Sequence, residues 1–227
     1  EDFEDRESVS GPLAAIEAIL RHPRRILYQL RQSGSGNLIL ALLLIAVTCS
    51  LVYGVVVGTF SGEAQLWAAP MKIAAGLVIS ALICLPSLYI FSCLSGSQAR
   101  LVEVVGLIAG LLALMTVLLI GFAPVAWVFS QSTESLPAMG ALHLVFWFIA
   151  TYFGLRFLCA GFAHLSGRTG GLRVWIPIFL LVMVQMTTAL RPIVGTADTF
   201  LPKEKKFFVT HWIEQMQKPA ATVPAER

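Results

Sequence analysis

The chain has 227 residues, 57% of them hydrophobic and 13% charged, with a formal net charge of +3. Soluble domains carry about 25% charged residues; here eleven charges fall in residues 1–36, ten in 174–227 and only eight in the 137 between. So few charges cannot cover a water-soluble body, which excludes a soluble enzyme, and the apolar content excludes a disordered chain.

Residues 1–12 form an acidic opening with Glu1, Asp2, Glu4, Asp5 and Glu7, unlike the basic start of a secretory signal. Glu1 in place of a Met predicts a trimmed start. In residues 13–36, Leu13, Ile16, Leu20, Leu27 and Leu30 recur at helical spacing, and His22-Pro23 breaks the run. Two short amphipathic helices on the membrane face are expected. Arg21, Arg24, Arg25 and Arg31 would meet anionic lipid there, at about 1 kcal/mol each.

Residues 37–192 hold five apolar stretches, at 38–60, 73–94, 104–129, 142–163 and 174–190. A hydrocarbon core about 30 Å thick needs about 20 helical residues, and each backbone amide must find its partner within its own segment. The predicted fold is therefore all-α, a polytopic bundle of five transmembrane helices. Pro86 and Pro124 predict local kinks, and Trp67, Trp127, Trp147 and Trp175 fall near span ends, where headgroups favour their rings.

Residues 193–227 form a tail. Within it 203–218, bounded by Pro202 and Pro219, has the pattern of an interfacial helix with Lys203, Lys205 and Lys206 at its start. Basic residues in the short loops place the amino terminus in the cytoplasm and, after five spans, the carboxyl terminus on the opposite side. Lys203, Lys205, Lys206 and Lys218 in that tail pull the other way. The expected location is a bacterial inner membrane.

Chemistry is sparse. No Asp or Glu lies within the five stretches, and Arg156 is the one internal charge. Arg156 is expected to snorkel toward the cytoplasmic interface; a buried cation held by a lipid phosphate or a partner's acid is the functional alternative. Cys49, Cys84, Cys93 and Cys159 have no metal-ligand spacing, and no nucleotide or protease motif occurs. Hence no catalytic residue, metal or cofactor is expected. Gly54, Gly58 and Gly62, and Gly106 and Gly110, are spaced by four and predict close helix packing.

The segment AIEAILRHPRRILYQL (Ala15–Leu30), followed by five closely spaced spans with Pro124 near the end of the third, resembles the lead-in and topology of the Yip1-like family of five-span membrane proteins. The likeness covers about Ala15–Gln185, and the tail opening RPIVG departs from the family's short ending. The resemblance implies a helical membrane fold, an inward amino terminus and no enzymatic activity.

Together these features point to a non-catalytic membrane organiser or accessory subunit that works through helix packing and interfacial contacts. Its expected partners are the bilayer, anionic lipids included, and other membrane subunits or a second copy, not nucleic acid. The alternative is a small permease or channel-like subunit, its path lined from Thr48, Ser80, Ser87, His143, Arg156 and Gln185.

Overall fold

A computed structural model of the chain describes residues 9, 11–32, 34–61, 65–133, 136–166 and 170–189. The expected helix at 203–218, its lysines and Gly62 lie outside the described residues. Seven helices follow one another: α1 (Pro12–Arg21), α2 (Pro23–Leu30), α3 (Gly36–Ser61), α4 (Gln65–Leu94), α5 (Leu101–Ser132), α6 (Leu136–Ser166) and α7 (Gly170–Ala189). No strand occurs among the described residues. The last five are each long and apolar enough to cross a membrane. The expected all-α bundle is borne out, and the protein is a multi-pass integral membrane protein.

The five long helices run alternately up and down. We call the end that carries α1 and α2 the near end and the other the far end. α5 is the core element: it lies against α3 and α6, α3 also packs on α4, and α4 carries α7. Burial follows that order, reaching 72% of the most apolar stretch of α5 and only 17% of that of α7. α5 can be the centre because its contact face offers small residues between large ones, with Gly106, Ala109, Gly110 and Ala113 among Leu107, Leu111 and Met115.

The predicted glycine faces lie against neighbours in the same chain. A side chain on Gly54 would overlap the backbone of Pro70, so α3 and α4 meet almost backbone to backbone. A Cβ on Gly106 would sit 2.5 Å from a Leu30 methyl, and one on Gly110 2.5 Å from the Phe157 ring. Gly58 is buried. At the near end Gly171 lies against the carbonyl of Phe91, which lets α7 approach α4. Trp175 then anchors α7, donating its indole N–H to the Cys84 carbonyl at 3.0 Å and stacking on Phe179. Sequence places Trp175 with the interfacial rings, yet it is fully buried; Trp67 and Trp127, at the far end, are exposed.

α1 and α2 break at His22-Pro23, His22 leaving the helical region and Pro23 opening α2 without needing an N–H partner. Their apolar faces rest on protein: Ile19, Ile26, Leu27 and Leu30 are buried against the base of α3, α5 and α6. Arg21, Arg24 and Arg31 stay exposed, and Arg25 is half-buried. Glu103 caps α5 by accepting the Arg100 backbone N–H at 2.8 Å, while the Arg100 guanidinium reaches the Arg31 carbonyl at the end of α2.

Candidate functional site

All five long helices begin earlier than hydropathy alone predicts. α4 starts at Gln65 and α5 at Leu101, because a helix continues through polar residues as long as its backbone bonds are made. This corrects the expectation that Arg156 is the only charged residue within a span and that carboxylates are absent. Lys72, Glu103, Arg156 and Arg173 each fall inside one of the apolar helices.

Lys72 sits about two turns into α4, and only 1% of its surface is exposed. Nearby, Tyr53 of α3 and His143 of α6 meet across the bundle, with the Tyr53 hydroxyl 2.6 Å from His143 Nδ1. Tyr53 lies beside Gly54, the residue that lets α4 approach, so the glycine contact and the polar contact are set by one crossing of helices. Each of the three is about 10–12 Å along its helix from the far end, at 1.5 Å per residue, which is why residues distant in sequence share one level.

The Tyr53–His143 bond fixes the imidazole. If Nδ1 carried the proton and donated, the buried Tyr53 O–H would be left without an acceptor, at a cost of about 1–3 kcal/mol. The hydroxyl therefore donates to Nδ1, and the proton resides on Nε2. Nε2 is buried and has no hydrogen-bond partner among the described residues.

Lys72 and His143 border a cavity of about 60 Å³ between α3, α4, α6 and α7. Its polar lining comes from Lys72, Ser80, His143 and Thr187. Ser80 and Thr187 each donate to a carbonyl of their own helix, Gly76 and Val184, leaving lone pairs as their remaining capacity. Val57, Leu77, Trp147 and Met183 complete apolar walls.

Comparison with known proteins finds no family model that matches the chain and no curated protein or solved structure similar to it. The site must be read from its own chemistry.

Of the six residues nominated for a polar path, only Ser80 and His143 reach the cavity. Thr48 is exposed, and Ser87 donates to the Cys84 carbonyl within α4. Tyr53 and Lys72 were missed by sequence reading: Tyr53 is one aromatic in an unbroken apolar stretch, and Lys72 falls just before the stretch as hydropathy bounds it. Two prolines so close to Lys72 and Tyr89, at Pro70 and Pro86, do not interrupt α4; continuing the helix through Pro70 was the available signal.

Arg156 is placed otherwise. It is exposed on the outer face of α6, in line with Val145, Phe148 and Tyr152. Its guanidinium carbon lies 6.0 Å from the centroid of the Tyr152 ring. Tyr152 is one turn back toward the far end, whereas the nearer end of α6, at Ser166, is ten residues on, or about 15 Å. The side chain thus lies along the outer face of α6 toward Tyr152, following the tilt of its Cα–Cβ bond.

Proposed function

We propose that this membrane protein is a non-catalytic accessory subunit or organiser that presents the outer face of α6 to another membrane helix. The observation that carries this reading is Arg156, exposed within the span and laid over Tyr152. A guanidinium facing lipid is costly, and basic residues within spans pair with acids or carbonyls. No acidic residue stands on that face among the described residues of α6. The matching acid therefore comes from a partner chain, next to an aromatic stripe of Phe148 and Tyr152, both more than half exposed. The resemblance to the Yip1-like family, resting on Ala15–Leu30 and the order of spans, supports the same contact-making role.

The arginines at the α1–α2 end support an orientation with that end in the cytoplasm, as in a bacterial inner membrane. Modification of a cysteine at Ser97 by an impermeant reagent from outside would reverse it.

Co-purification from native membranes with mass spectrometry tests the function. Stoichiometric partners are expected, and Arg156→Leu should lose them while remaining expressed and monodisperse. Retention of the same partners by Arg156→Leu counts against the proposal. The cavity favours a second reading, a small permease subunit. That reading expects a cysteine at Ser80 to react with a water-soluble reagent from both sides of the membrane; protection from either side excludes it.

A further inference from the structure

Arg21, Arg24, Arg25 and Arg31 look alike in sequence, and the structure divides them. Arg21 pairs with Glu17 at 3.5 Å, and Arg25 is half-buried. Arg24 and Arg31 are exposed and form no ion pair or side-chain hydrogen bond among the described residues. With the exposed Tyr28 between them, at spacings of four and three, they make one stripe along α2, separate from the face that buries Ile26, Leu27 and Leu30. We propose that this stripe docks on anionic phospholipid headgroups of the leaflet at the near end, with Arg24 and Arg31 taking the phosphates.

Depth places the stripe among headgroups. α5, 32 residues long, spans about 48 Å and overhangs a 30 Å hydrocarbon core by about 9 Å at each end. Gly106, where Leu30 rests, is five residues from its start, or about 8 Å. α6 has 31 residues, and Gly161, where Leu27 rests, is five residues before its end. Two helices thus put the inner side chains of α2 at the edge of the hydrocarbon and its backbone in the headgroup layer.

Charge and polarity select the occupant. Glu17 and Glu103 are the only acids among the described residues, and each already pairs with an arginine, Arg21 and Arg100. Arg24 and Arg31 therefore leave an excess of positive charge, which a second copy would repeat and a zwitterionic lipid would not offset. Arginine meets phosphate with charge-assisted hydrogen bonds. α1, joined to α2 through His22, adds Leu13 and Leu20, 81% and 47% exposed. Leucines beside arginines suit a bilayer surface, which receives both the apolar and the charged groups. This surface is separate from the α6 face that carries Arg156.

The test takes the full chain from nanodiscs of equal parts phosphatidylcholine and phosphatidylglycerol and counts, by intact-mass spectrometry, the lipids each chain retains. Phosphatidylglycerol should be retained in preference, and added salt should weaken that preference. Arg24→Gln and Arg31→Gln should each lower the ratio of the two lipids about fivefold, as the attraction of one arginine near an anionic surface implies. Arg24→Lys and Arg31→Lys should keep it. Equal retention of the two lipids by the native chain overturns the proposal, whatever the variants do, and leaves the stripe to an acidic protein. A preference that survives Arg24→Gln and Arg31→Gln together, with helical content unchanged by circular dichroism, belongs to other basic groups and overturns it as well.

Discussion

The two ends of the bundle use the same helices in opposite ways. At the near end, apolar side chains fill the notches on α5 and α6: Leu30 lies against Gly106, and Leu27 and Leu107 close on Gly161. Polar groups there are short or paired: Ser35, Ser92 and Ser97 are buried, and the buried Glu103 pairs at 3.0 Å with Arg100, which is largely exposed. At the far end a comparably close contact, Gly54 on Pro70, leads into a buried tyrosine, a buried histidine, a buried lysine and a cavity. One end spends its close approach on packing, and the other uses it to gather polar groups. Membrane helices gain little from burying more hydrocarbon, so close fit stabilises the near end and a polar pocket at the far end points to a role beyond stability.

That contrast can be broken at several points. The largest effect is expected from Gly54→Ala, because its Cβ meets backbone that cannot rotate away. Separating α3 from α4 should cost about 3 kcal/mol or more in detergent-unfolding titrations. Ordinary stability in that variant would show that the far-end contact is not tight.

Leu30→Ala should follow, at about 2–3 kcal/mol. The loss should concentrate in the docking of α1 and α2, read as faster proteolysis around His22 with the five long helices still protected. Uniform loss of protection would mean that the near end is not a separable layer.

Tyr53→Phe leaves His143 Nδ1 without its partner and should cost about 1–2 kcal/mol. A double-mutant cycle with His143→Phe should show coupling; additive effects would remove the bond from the far-end design. The smallest change is Arg100→Ala. An exposed guanidinium pairs weakly in water, so about 0.5 kcal/mol or less is expected from thermal melts. A loss as large as that of Leu30→Ala would show that the near-end rim is structural.

The basic residues repeat the lesson on single helices. Lys72 and Arg156 are each the one basic residue of their span apart from its ends, and hydropathy treats them alike. Lys72 shares one side of α4 with Gly76 and Ser80, which line the cavity between α3, α4, α6 and α7, so it is enclosed. Arg156 stands on the face of α6 opposite Phe157 and Gly154, which are turned into α5, so it faces outward.

Five apolar helices, their alternation, the break at His22-Pro23 and the membrane as solvent were all legible in the residues. Those properties depend on segment length, hydropathy and local backbone chemistry, each of which acts within a stretch of about 20 residues. The meeting of Tyr53 with His143, the burial of Lys72 and Trp175 and the outward turn of Arg156 came only with the tertiary structure. Helices that are apolar all round carry no periodic mark of their inner face, so which side faces a neighbour is decided by how small residues such as Gly54 and Gly110 let particular pairs approach.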